Sequence, residues 1–204
     1  MKLRRKKSEA PKRQHGGHEI LSFVIIIALA LILAWVIISF VFESYQVDGV
    51  SMENTLHNND RLIVWKAPVT WAHLTGGQWV PGRGDIIIFK EPGLAAYGDA
   101  NVKDLVKRVV GLPGDKLVIR KGHITIFNNQ HPNGFTNPIN FDGKAGHSYT
   151  SGKETVKLNG NQIFVMGDNR PDSLDSRIFG PVNLNQVIGK LILRDWPISD
   201  MKAF

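Results

Sequence analysis

Three segments of the chain carry side chains able to do covalent chemistry. The first is Gly49-Val50-Ser51-Met52-Glu53-Asn54-Thr55-Leu56. A serine beside a glycine at a strand end can expose its hydroxyl and bring backbone N–H groups near a reacting carbonyl. The same triplet also makes an ordinary turn. The second runs from Asp104 to Asp115, where Lys107 and Arg108 interrupt an apolar strand. Neighbouring strand residues point to opposite faces, so one of the pair can turn inward. A lysine there is either an edge charge that discourages strand addition or a buried amine. Burial disfavours the ammonium, lowers the pKa, and lets the neutral amine act as a base. Moving it from ~10.4 to ~7–8 costs about 4 kcal/mol, which only a packed, partly dry site can hold. The third segment is Gly167-Asp168-Asn169-Arg170-Pro171-Asp172-Ser173-Leu174-Asp175-Ser176-Arg177. Its alternating charges suit an ion-pair network. Arg170 and Arg177, interleaved with Asp168, Asp172 and Asp175, would oppose a bound cation, and no EF-hand spacing is present.

Composition removes several alternatives. The 204 residues include no Cys, which excludes disulfides, zinc fingers, Fe–S clusters and cysteine nucleophiles. His57 lies only six residues past Ser51, too local to serve as its base, and Glu53 breaks any Gly-x-Ser-x-Gly elbow. Asn54 excludes a Ser-x-x-Lys nucleophile motif at Ser51. The net charge of +7 is concentrated at one end. Residues 1–19 hold seven Lys/Arg against Glu9 and Glu19, and the remainder is close to neutral. That distribution argues against a nucleic-acid role for the main domain.

The elements that must position these segments begin in the membrane. Ile20 to Phe42 is a run of 23 residues without charge, Pro or Gly. As a helix it spans ~34 Å, enough to cross a bilayer. A cleavable leader would have an apolar core of ~7–15 residues and a small-x-small exit. This run is longer and leaves through Phe42-Glu43-Ser44-Tyr45. The expectation is therefore a retained single span. The basic cluster places the N-terminus in the cytoplasm and residues 43–204 outside. Beyond it, apolar β-branched stretches recur at Tyr45–Val47, Arg61–Lys66, Asp85–Lys90, Leu105–Val110, Lys116–Arg120, Ile124–Phe127, Gln162–Met166 and Val187–Arg194. Gly, Pro, Asn and Asp signals separate most of them. The expected fold is mainly β, with loops at Glu91–Lys103 and Asn128–Gly152. The expected layout is a basic tail at 1–19, the span at 20–42, a β domain at 43–195 with a small insert at about 128–158, and a tail at 196–204.

Four of these stretches, in order, resemble the boxes of the type I signal peptidases. They are Ser51-Met52…Thr55-Leu56, Gly84-Asp85-Ile86-Ile87-Ile88-Phe89, Lys107 to Asp115, and Gly167-Asp168-Asn169-Arg170…Ser173…Asp175-Ser176-Arg177. The resemblance covers roughly residues 20–195. It implies an antiparallel β fold with a smaller inserted region behind one membrane helix. It implies that Ser51 is the nucleophile, Lys107 the general base, and Ser173 the hydroxyl that orients the amine. Arg108, Asp168, Arg170, Asp175 and Arg177 would buttress the site. Tyr45, Val47, Met52 and Val106 would line shallow substrate pockets. No metal or cofactor is implied. The implied partners are membrane lipid and signal peptides of exported pre-proteins delivered by the secretion machinery.

Departures from the family pattern are Asn54 in place of Pro, Pro171 in place of Asp, and Asp172 where Asn is frequent. Gly49 stands where some members carry a serine, so the oxyanion would rest chiefly on backbone N–H groups. A self-cleaving repressor would share the Ser–Lys logic but carry a DNA-binding domain in place of the anchor. The alternative of another class is a non-catalytic, membrane-tethered β domain that binds or scaffolds partners. The presence of both Ser51 and Lys107 argues against it.

Overall fold

The computed structural model describes residues 16–53, 55–91, 102–136 and 150–204. Most of the basic tail, Asn54, residues 92–101 of the first expected loop and residues 137–149 of the second lie outside them. The chain forms two compact units, Met1–Ile38 and Ser39–Phe204.

The first unit is dominated by helix α1 (Gly16–Phe40). Its segment Glu19–Phe40 is 22 residues long with a mean hydropathy of 3.2, long and apolar enough to cross a membrane. Large apolar side chains are exposed along it, from Ile20 and Phe23 to Trp35 and Ile38. A helix that is apolar all round belongs in a core or in lipid. The helix ends two residues before the expected end of the span, because Phe42 is drawn into a strand opposite Trp65.

The second unit contains the strands and short helices. In chain order they are β1 (Phe42–Gln46), β2 (Arg61–Trp65), α2 (Ala67–Leu74), β3 (Ile86–Glu91), β4 (Lys103–Gly111), β5 (Lys116–Arg120), β6 (His123–Phe127), β7 (Phe135–Thr136), β8 (Glu154–Lys157), β9 (Gln162–Met166), α3 (Ser176–Phe179), β10 (Val182–Asn183), β11 (Val187–Trp196) and β12 (Lys202–Ala203). All the strand pairings are antiparallel. The main sheet has the order β1-β2-β11-β3-β4-β9-β10, with β12 added to β11. The second sheet has the order β7-β6-β5-β8.

Burial explains the layering. β3 is apolar at four successive positions and buried on both faces. Ile87 and Phe89 enter one cluster with Val109, Val165 and Val187, while Ile86 enters another with Met52, Leu56, Leu62 and Leu191. A strand covered on both sides reads as a continuous apolar run rather than an alternating one. β5 and β6 do alternate: Leu117, Ile119, Ile124 and Ile126 point inward, and Lys116 and Arg120 point out. Their inner face joins Val110, Phe164 and Met166, so the second sheet is seated on the ends of β4 and β9. Gly111 sits at that junction, where a Cβ would collide with Leu117 and Leu158.

All eight expected stretches fall on strands. The second sheet begins at Lys116, ahead of the expected insert. The short β7, β8, β10 and β12 and the eight-residue α2 were not foreseen, and elements of two to four residues carry no readable period. Residues 196–204, expected as a tail, fold back: Ala203 pairs with Leu193, and the Phe204 N–H donates to the Ile192 carbonyl at 3.0 Å.

Candidate active site

The turn that carries Ser51 leaves β1 through Val47, whose N–H donates to the Asp60 carbonyl at 2.9 Å. Gly49 follows with φ +109°, in the left-handed region that favours glycine. Its N–H is held by Asn58 Oδ1 at 2.9 Å. The N–H groups of Thr55 and Leu56 both donate to the Met52 carbonyl, at 3.0 and 2.8 Å. Met52 and Leu56 are buried beneath the turn, which leaves Ser51 partly buried above them.

Lys107 enters from the middle of β4, opposite Ile87. Its side chain is buried, with the residue only 3% exposed. The Nζ lies 2.8 Å from Ser51 Oγ and donates to the Val106 carbonyl at 2.9 Å. Burial pulls its pKa down from 10.5 to about 8, against the opposing pull of Asp175 and Asp168. That depression corresponds to about 3 kcal/mol favouring the neutral amine.

The nearby carboxylates are matched to guanidinium groups. Arg108 Nε donates to Asp168 Oδ1 at 2.8 Å, and its Nη2 pairs with Oδ2 at 2.5 Å. Thr55 Oγ1 donates to the same Oδ2 at 2.6 Å, linking the serine turn to this pair. Asp175 is fully buried at the N-cap of α3. It accepts from Arg177 Nε at 2.8 Å and Nη2 at 2.7 Å, and from the Gly167 N–H at 3.1 Å. Two-point guanidinium–carboxylate pairs are the strong, geometrically specific kind. Buried Arg170 donates from Nε to the Gly167 carbonyl at 3.1 Å and from Nη1 to Thr150 Oγ1. Its pKa is lowered to about 10 by burial first, then by Arg177.

Ser173 departs from its expected part. It is buried, but its Oγ has no hydrogen-bond partner among the described residues. The lysine amine takes the Val106 carbonyl as its second contact instead. Ser173 is nevertheless close to the dyad. A Cβ on Gly167 would collide with both the Ser173 side chain and the Ser51 carbonyl, so three backbone segments converge there.

A cavity of about 120 Å³ opens beside Ser51 and Lys107, walled by Tyr45, Val47, Leu105 and Val106 among others. Three of the four expected pocket residues therefore line it. Met52 does not, because it is turned down into the core with Leu56 and Leu62. The Tyr45 hydroxyl is held protonated, its pKa raised by burial and then by the Glu43 and Asp104 carboxylates. β4 pairs with β3 along Lys103–Arg108 but with β9 only from Arg108 onward. Among the described residues, no strand pairs with β4 at 104–107 on the side away from β3.

Some contacts were not singled out from sequence. Asn169 donates its N–H to the Ser51 carbonyl and its Nδ2 to the Val50 carbonyl, both at 3.1 Å. Its only signal was a neutral amide among charges. Buried Arg194 donates to the Thr55 carbonyl at 3.1 Å and to Asp60 Oδ2 at 2.9 Å. It read only as the end of a strand.

The arrangement is a hydroxyl in contact with a buried amine of depressed pKa, on the wall of a cavity between two strand ends. Comparisons with known proteins show the family of the chain. The profile of the family described as "Signal peptidase, peptidase S26" matches residues 20–196. A signal peptidase IB of Staphylococcus aureus (strain COL) is 31% identical over 195 residues, covering 90% of this chain and 93% of the relative. A signal peptidase I of Bacillus caldolyticus is 36% identical over 166 residues, covering 78% and 82%. A crystal structure of a signal peptidase I from Enterococcus faecalis V583 is 28% identical and covers 54% of this chain and 96% of that one, with a TM-score of 0.41. The chain belongs to the signal peptidase family, peptidase family S26.

Proposed function

We propose that this protein is a membrane-anchored serine endopeptidase that removes signal peptides from exported pre-proteins, with Ser51 as nucleophile and neutral Lys107 as general base. The carrying observation is the 2.8 Å contact between Lys107 Nζ and Ser51 Oγ in a buried site. Lys107 accepts the Ser51 proton as Oγ attacks the scissile carbonyl carbon. The carbonyl oxygen gains negative charge, which the Ser51 N–H helps to stabilise. The ammonium then returns the proton to the leaving amine, and the C–N bond breaks. Water, deprotonated by the same amine, attacks the acyl-enzyme and releases the signal peptide and Ser51.

Supporting residues keep the base neutral and the turn fixed. Arg108 and Arg177 pair with Asp168 and Asp175, which limits the pull of these carboxylates toward the ammonium. Arg170 and Asn169 hold the loop against the nucleophile turn. Ser173, whose hydroxyl has no hydrogen-bond partner among the described residues, is assigned to the amine during turnover. The substrate lies as an added strand between Tyr45–Asp48 and the unpaired edge of β4, with small side chains entering the cavity. Helix α1 anchors the enzyme in lipid with the basic tail in the cytoplasm and the β domain outside.

The test is cleavage of a pre-protein carrying a small-x-small site by wild type, Ser51→Ala and Lys107→Ala. Wild type should cut it at one bond, and both variants should be inactive but folded. Turnover by either variant would rule out the dyad.

A further inference from the structure

The C-terminal segment grips the nucleophile turn independently of the Asp168–Arg108 pair. β12 pairs with β11, and Phe204 packs against the cluster of Val47, Met52, Leu56 and Leu62 that lies under Ser51. At the centre is Arg194 of β11, whose side chain is 4% exposed. Its Nη1 donates to the Thr55 carbonyl at 3.1 Å and to Asp60 Oδ2 at 2.9 Å. Its Nη2 pairs with Asp200 Oδ2 at 2.6 Å, and its Nε donates to the Asp200 carbonyl at 2.8 Å. One guanidinium therefore joins the serine turn, the segment that returns from it and the 3-10 turn ahead of β12. Asp60 Oδ2 also accepts the His57 N–H at 2.8 Å, closing the turn on itself.

Stability alone does not account for this arrangement. Buried ion pairs are often matched or bettered by apolar residues of similar size. What a planar fork with five donors supplies is fixed geometry at several acceptors together. The acceptor of most consequence is the Thr55 carbonyl. Thr55 is one turn beyond Ser51, and its hydroxyl is already held by Asp168. With both ends of Thr55 fixed, the backbone of the turn cannot shift away from Lys107 without breaking one grip.

We propose that Arg194, aided by Asp200, is a positioning residue for the Ser51 nucleophile. This rests on the Ser51–Lys107 peptidase reading. A positioning role predicts loss in kcat with little change in substrate affinity and none in the ionisation of the base, because Arg194 makes no contact with Lys107 among its hydrogen bonds and ion pairs here. A role confined to holding the fold predicts a lower Tm with an unchanged kcat for the folded enzyme.

The experiment uses the full-length protein in detergent with a signal-peptide substrate, comparing wild type, Arg194→Gln and Asp200→Asn. Arg194→Gln should lower kcat on the order of tenfold to a hundredfold, keep KM within about twofold, and leave the midpoint of the pH–rate curve in place. Asp200→Asn should give a smaller loss of the same kind. Its carboxylate is 52% exposed, so this variant folds even if Arg194→Gln does not, and it then decides alone. Unchanged kcat in the folded variants, a loss confined to KM, or a shifted pH midpoint overturns the positioning role. A wild type that does not cleave fails the peptidase reading, and the positioning role with it.

Discussion

Lys107 and Arg108 are adjacent on β4 yet serve opposite sides of it. Lys107 reaches Ser51 Oγ at 2.8 Å, and Arg108 closes on Asp168 with Nε at 2.8 Å. The alternation of a strand thus separates an amine of lowered pKa from a guanidinium paired with a carboxylate. A carboxylate facing the amine directly would hold it protonated; burial lowers the Lys107 pKa by more than Asp175 and Asp168, each paired with an arginine, raise it.

The first prediction concerns pH. With the Lys107 pKa near 8, kcat/KM should rise about tenfold per pH unit in acid and level off above about pH 9. Lys107→Arg should be as inactive as Lys107→Ala, because guanidinium stays protonated. A rate independent of pH between about 5 and 9 would remove lysine as the base.

The second prediction links the same burial to stability. The folded pKa is below the unfolded one, so the unfolded chain binds more protons between about 8 and 10.5. The destabilisation is fully present below pH ~8 and disappears as pH rises through ~10.5. Lys107→Met should therefore be more stable than wild type at pH 7 by on the order of 1–3 kcal/mol. Denaturant titrations of the two proteins should converge toward pH 10.

A third prediction follows from Ser173. Removing a buried hydroxyl that has no partner should leave stability unchanged or raise it by about 1 kcal/mol. Turnover should fall all the same if the hydroxyl serves the amine. Ser173→Ala with normal kcat and a lowered Tm would show that the group is structural only.

The fourth concerns Gly167, where a Cβ has no room beside Ser173 and the Ser51 carbonyl. Gly167→Ala should displace the nucleophile turn and lower kcat strongly, with a stability loss of about 1–3 kcal/mol. Near-normal kinetics in this variant would mean that the turn tolerates movement at Ser51.

Much of this site was legible because its chemistry is written in unusual side chains. A lysine in an apolar strand and three Asp interleaved with Arg stand out from any solvated surface. Asn169, Arg194 and Asp60 did not stand out, since their work is done on backbone carbonyls and amides that only the folded chain brings near. Met52 was misplaced for a related reason: next to Ser51 in sequence, it faces the core because the turn reverses there. The central strands were readable from apolar, β-branched runs. Nothing local marks β5 as leaving the main sheet, because its alternation fits either sheet, and only the close packing at Gly111 selects one.

The unpaired edge of β4 has a consequence for solubility as well as for substrate. Exposed strand edges invite other chains to add on, and each added strand normally offers a fresh edge for the next. Here the edge at 104–107 borders a cavity whose other wall is the end of β1. On the proposed reading, a substrate strand lodged there would pair on both sides and leave no ladder to propagate. On that reading such a recess is self-terminating, because it would take one extended chain at a time.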